Sequence, residues 1–196
     1  PAPDSSITIP SFRDDILSIM DELQIDKAHL VGQSMGGYSV LRCALDQPER
    51  VNTLTLSCTP AGIPIPNPTE SVKNLGARGA EGIQATMSKK TFENPALVQL
   101  YASIQSFNTE FSFERLSALR REEDQVNIDL LGSMEIPTLF ISGREDPLFL
   151  PEQLSQLVPH FHSASIKIVD DAGHSPYFEQ PTVFNKLLSD HINQNL

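Results

Sequence analysis

His29-Leu30-Val31-Gly32-Gln33-Ser34-Met35-Gly36-Gly37-Tyr38 decides how this chain is read. It is a short apolar strand, a tight turn holding one serine, and the start of a helix. A strand that turns at once into a helix brings the residues two before and two after the serine together. Glycine is therefore expected to be needed at both Gly32 and Gly36, with Ser34 in a strained backbone conformation. The serine hydroxyl then stands clear of the sheet edge. The helix N-terminus, with its free N–H groups, points at whatever the serine attacks. Gly-x-Ser-x-Gly arises by chance in about one chain in 15 to 20 of this length, so its context must decide. Residues 28–31 read as a buried strand, and Val40, Leu41, Ala44 and Leu45 give the next helix an apolar stripe.

The chain has 196 residues and a net charge of −11, which argues against nucleic acid or an anionic membrane surface as partner. Residues 1–60 carry 4 Lys/Arg against 8 Asp/Glu, 61–133 carry 7 against 9, and 134–196 carry 3 against 8. The nearly balanced middle section reads as a different kind of unit. Cys43 and Cys58 both sit in apolar settings and read as buried free thiols, which fits a reducing, cytoplasmic compartment. No stretch approaches the roughly 20 apolar residues that span a membrane.

Outward from the elbow, residues 1–10 hold three prolines and read as a loop. Ser11 and Asp14 read as a capping box, and Phe12, Ile16, Ile19, Met20 and Leu23 recur at helical spacing, predicting a helix over 12–23. Strands are predicted over 51–58, 137–142 and 165–169, with helices opened by Pro151 and Pro181. On the last helix Val183, Phe184, Leu187, Leu188 and Ile192 share one face. Residues 61–133 read as helical segments near 70–76, 80–90, 95–106 and 112–120. Their apolar side chains (Met87, Phe92, Leu100, Tyr101, Ile104, Phe107, Phe111, Phe113) suit either inter-helix core or a pocket wall. The alternation elsewhere implies a mainly parallel α/β sheet covered on both faces, formed by 1–60 and 134–196, with 61–133 inserted as a helical lid.

A serine hydroxyl needs a base to take its proton and a third group to orient that base. Among five histidines, His29 lies inside a strand, His160 and His162 in a loop, and His191 on the last helix. His174 follows a strand directly, where parallel strands deliver their C-terminal ends to one edge. Asp146 follows the neighbouring strand on that edge and is favoured as the acid over Asp170 and Asp171. The order Ser34, Asp146, His174 is that of an α/β-hydrolase.

Three blocks carry a resemblance to that superfamily: residues 31–37 with Pro48-Glu49-Arg50-Val51 downstream, Gly143-Arg144-Glu145-Asp146, and residues 172–181 (Ala-Gly-His-Ser-Pro-Tyr-Phe-Glu-Gln-Pro). The chain resembles the lid-bearing serine hydrolases, among them carboxylesterases, enol-lactonases and carbon–carbon bond hydrolases of aromatic degradation. The resemblance implies a catalytic triad of Ser34, Asp146 and His174, Met35 N–H as one oxyanion donor, and a small-molecule ester or lactone substrate. It implies neither metal nor cofactor. The alternatives are carbon–carbon bond hydrolysis and an inactive, ligand-binding hydrolase fold. The family's second oxyanion donor, often marked by a His-Gly pair in an earlier loop, has no candidate here. Some four strands and a helix of the family's fold also have no counterpart ahead of Ser34. The expectation is a fold lacking its N-terminal part, with the missing strands in upstream sequence or supplied by a homo-oligomer or another partner chain.

Overall fold

Four apolar runs pair into one sheet in a computed structural model that describes residues 8–70, 86–107 and 125–196. They are β1 (Ala28–Gln33), β2 (Val51–Ser57), β3 (Thr138–Gly143) and β4 (Ala164–Val169). The order is β1-β2-β3-β4 and every pairing is parallel. Parallel neighbours need crossovers, and helices supply them. The helices are α1 (Ile9–Glu22), α2 (Met35–Asp46), α3 (Lys89–Phe92), α4 (Pro95–Gln105), α5 (Pro151–Ser155), α6 (Pro176–Glu179) and α7 (Pro181–Asn193).

Both faces of the sheet are covered at β3, as the alternation of its side chains shows, whereas Ser165, Lys167 and Ile168 of the edge strand β4 are exposed. Phe140 packs with Leu41, Leu54, Leu56 and Leu154 on the α2 and α5 side. Leu139 and Ile141 point the other way, to Phe184, Leu187 and Leu188 of α7. Val183 of α7 is exposed rather than part of that face. The outer side of β1 has no strand partner among the described residues, and Val31 on that strand is exposed.

Helix α1 starts three residues earlier than the spacing predicts. Thr8, not Ser11, is the N-cap. Its side chain accepts from Ser11 N at 3.1 Å, and Ser11 Oγ takes the Thr8 N–H at 2.9 Å. This reciprocal pair satisfies two donors, and Pro10 fits the first turn because that turn has no use for its missing N–H.

Within 61–133, α4 lies where a helix is expected. The expected segments 70–76 and 112–120, with Phe111 and Phe113, lie almost wholly outside the described residues, as does most of 80–90. Residues 86–88 form a turn before α3. Phe92, Leu100, Ile104 and Phe107 are exposed, so they are not inter-helix core, whereas Met87 is buried. No described helix is long and apolar enough to cross a membrane.

Candidate active site

The C-terminal ends of the four strands place Ser34, Cys58, Asp146 and His174 on one edge, because parallel strands all end on the same side. Ser34 sits between β1 and α2 with φ 51° and ψ −117°, the left-handed region that a non-glycine residue adopts only at a cost. Its N–H donates to Ser57 O at 2.9 Å, which fixes the turn to β2.

The glycines around the turn divide differently from the expectation. A Cβ on Gly32 would lie 2.5–2.6 Å from Val40 Cγ2, Gly36 O and Gly37 Cα. A Cβ on Gly36 would meet nothing within 4 Å. The crowded partner is Gly37, whose added Cβ would lie 2.8 Å from Thr59 Oγ1. The reason is direction. The Gly36 backbone presses on Gly32, but the side-chain position of Gly36 faces outward, and that of Gly37 faces the residues after β2.

Three side chains far apart in sequence meet at this edge. His174 Nε2 is 2.9 Å from Ser34 Oγ, and its Nδ1 is 2.9 Å from Asp146 Oδ2. Asp146 is 1% exposed and His174 7%, so water competes little for either bond. The other Asp146 oxygen accepts from Leu148 N at 2.9 Å and Phe149 N at 3.3 Å. With an acceptor at Nδ1, that nitrogen carries the ring hydrogen and Nε2 presents a lone pair to the serine hydroxyl. Phe149 stacks at a tilt on the imidazole, with centroids 5.9 Å apart. Met35 opens α2, so its N–H has no carbonyl partner within the helix.

The rival acids are occupied elsewhere. Asp170 pairs with Arg144, and Asp171 with Lys90 at 2.7 Å, both at the surface. His160 and His162 are exposed. His29 bonds Thr53 Oγ1 through Nδ1 at 2.9 Å.

Sequence reasoning gave Gln33 no role at this edge, and did not place Cys58 and Tyr101 beside it. Gln33, the neighbour of Ser34, donates from Nε2 to His174 O at 2.6 Å and accepts at Oε1 from Ser57 Oγ at 2.5 Å. Cys58 follows β2 at φ 47°, fully buried, with its thiol 3.8 Å from Gly173 O. Burial pushes that thiol up, and the nearby Asp146 charge pushes it further. Among the described residues, the donor atoms of Cys58, Asp146 and His174 lie within 4.8 Å of one another. That set mixes a soft thiol, an imidazole and a hard carboxylate, but Asp146 and His174 already bond each other and burial favours the protonated Cys58 thiol. Tyr101 of α4 comes within 3.5 Å of Ser175 Oγ and packs edge-on against Phe178, and burial raises its hydroxyl to about 12.

A family model described as "Alpha/beta hydrolase family" matches residues 2–187. The chain belongs to that family. It is 30% identical over 188 residues to a 2-hydroxy-6-oxononadienedioate/2-hydroxy-6-oxononatrienedioate hydrolase of Paraburkholderia xenovorans (strain LB400). That match takes in 89% of this chain and 65% of the relative, so the chain spans less than two thirds of the relative's length. A meta-cleavage product hydrolase from Pseudomonas fluorescens IP01 superposes with TM-score 0.77 at 26% identity, covering 96% of this chain and 73% of that one. A thermophilic esterase from Thermogutta terrifontis gives TM-score 0.77 at 25% identity with the same coverages.

Proposed function

We propose that this chain carries the working groups of a serine hydrolase that cleaves a carboxylic ester or lactone through an acyl-enzyme. The observation that carries the reading is the pair of 2.9 Å contacts on the two nitrogens of His174, one to Ser34 Oγ and one to Asp146. Ser34 attacks the substrate carbonyl while His174 Nε2 takes its proton. Asp146 holds the ring in the required tautomer and stabilises the imidazolium. The tetrahedral oxyanion takes a hydrogen bond from Met35 N–H. His174 then protonates the leaving oxygen, and the Ser34 ester remains. A water deprotonated by His174 attacks that ester and restores the serine.

A second reading is favoured by the name of the Paraburkholderia relative. A 2-hydroxy-6-oxo-dienedioate contains no ester, so hydrolysis at its 6-oxo carbon by the same residues breaks a carbon–carbon bond, and the departing dienol carbon takes the proton. In either reading residues 61–133 serve as a cap, supported by the contact of Tyr101 with the residues that follow His174. Two buried free cysteines support a reducing, cytoplasmic setting.

The test is a fluorophosphonate probe on the full-length protein, followed by turnover of p-nitrophenyl esters, simple lactones and a 2-hydroxy-6-oxo-dienoate. Ser34 should be labelled, and Ser34→Ala should abolish both labelling and turnover. A folded protein in which Ser34 resists the probe is a binding fold, and that result sinks the hydrolase reading. The substrate that turns over fastest decides between ester and carbon–carbon cleavage.

A further inference from the structure

Glu179 is a buried carboxylate, 6% exposed, with no part in the chemistry above. It closes α6, in the turn of chain just after His174. Its Oε1 accepts from Gly173 N at 2.8 Å and from Ser175 N at 3.2 Å, the backbone donors on either side of His174. Its Oε2 accepts from Ser88 N at 2.7 Å. Ser88 comes from a distant stretch of chain, and that stretch also touches His174 directly, since His174 N donates to Thr86 O at 2.8 Å. The packing between the two is at backbone contact. A Cβ on Gly173 would lie 2.7 Å from Met87 C and 2.8 Å from Ser88 N. Ser88 Oγ adds a bond to Asp171 O at 3.0 Å.

The chemistry of the group matches the task. Three N–H donors converge on Glu179, and a carboxylate offers two acceptor oxygens with about four lone-pair sites and no donor. A glutamine there has one acceptor oxygen and would turn an NH2 towards an N–H on the other side. We infer that Glu179 is a positioning residue for His174. It clamps the backbone on both sides of the histidine against residues 86–88, so that Nε2 stays at Ser34 Oγ. The inference rests on the reading of Ser34 and His174 as nucleophile and base. A displacement of about 1 Å in such a pair is enough to cost on the order of a hundredfold in rate.

A double-mutant cycle in the full-length protein tests it. Glu179→Gln is made alone and together with His174→Ala, and kcat and KM are measured on an activated ester such as p-nitrophenyl acetate. A residue that acts through His174 lowers kcat at least fivefold in the otherwise native enzyme, leaves KM within twofold, and changes the residual turnover of His174→Ala by less than twofold. A smaller loss of kcat, or the same factor on both backgrounds, overturns the inference, because a purely structural role depresses both alike. If Glu179→Gln does not fold, Glu179→Asp, which keeps an acceptor-only side chain, is run through the same cycle with the same criteria. If His174→Ala alone leaves turnover unchanged, the hydrolase reading fails, and this inference falls with it.

Discussion

Alanine at each of the three elbow glycines should give three different outcomes. A Cβ at Gly37 lands against Thr59, which is fully buried and whose Oγ1 already accepts from Ala61 N at 2.9 Å. Either Thr59 turns and gives up that bond, or α2 shifts. Overpacking of this kind costs about 1–3 kcal/mol. Taking about 2 kcal/mol, Tm should fall by about 4–8 °C in a protein of this size. A shift of α2 also moves Ser34, so kcat should fall with it. Gly32→Ala should be worse, because two of its neighbours, at 2.6 Å, are the backbone atoms Gly36 O and Gly37 Cα, which have no rotamer to change. Gly36→Ala meets open space and gains helix propensity, at most about 1 kcal/mol relative to glycine. Its Tm should therefore stay level or rise by up to about 4 °C. Thermal melts of the three variants in the full-length protein, with ester turnover alongside, decide the matter. If Gly36→Ala melts as low as Gly37→Ala, the steric account of the elbow is wrong.

Ser34→Ala and His174→Ala should each cost several orders of magnitude in kcat, and the double variant little more, since the pair acts as a unit; additive losses would argue against the pairing. Asp146→Asn should behave like a lesion of the same unit, and Asp171→Asn, whose carboxylate only pairs with Lys90 at the surface, should be mild; kinetics in the reverse order would move the acid. Burial pushes the Cys43 thiol up to about 11 and the Cys58 thiol higher than usual, so a disulfide-exchange reagent at pH 8 should titrate neither thiol in the native protein and both in guanidinium. Rapid native reaction would contradict the packing. Burial lowers His191 below its ordinary 6.5, outweighing the opposite pull of the Pro137 and Leu54 backbone groups. The unfolded chain therefore takes up that proton first. The stability His191 contributes is present above about pH 6.5 and is lost as pH falls through the lower folded value. His191→Gln should flatten the loss between pH 7 and 5 in denaturant titrations, and an unchanged slope would exclude this group as the source.

The strand ends were legible because each candidate follows a short apolar run, and a parallel sheet has only one edge for such ends to share. Ser34, Asp146 and His174 come together by that rule alone. The helix boundary at Thr8 was not legible, because two Ser/Thr-led caps compete within a few residues and only the backbone geometry selects between them. Which glycine is crowded depended on Thr59, a residue from another strand's exit. Gln33 and Glu179 were in plain view inside quoted motifs. Apart from the Ser57 hydroxyl on Gln33, however, their partners are backbone groups of His174, Gly173, Ser175 and Ser88, and backbone groups leave no mark in a sequence. The exposed Phe92, Leu100, Ile104 and Phe107 are apolar enough for a core or a pocket wall, but apolar character does not say whether a partner exists.

The register of the sheet sets the order in which this edge is built. β1 pairs with β2 over a short separation, Ala28 with Val51, and β3 with β4 likewise, Thr138 with Ala164. Among the described strands only the β2–β3 seam is long-range, with Leu54 against Thr138. Ser34 thus belongs to one locally formed half, and the Asp146–His174 pair to the other. Closing a long loop before the contacts it brings is the slow step in such topologies. During refolding, helical circular dichroism should therefore recover before ester turnover, and the lag between them times the closure of that single seam.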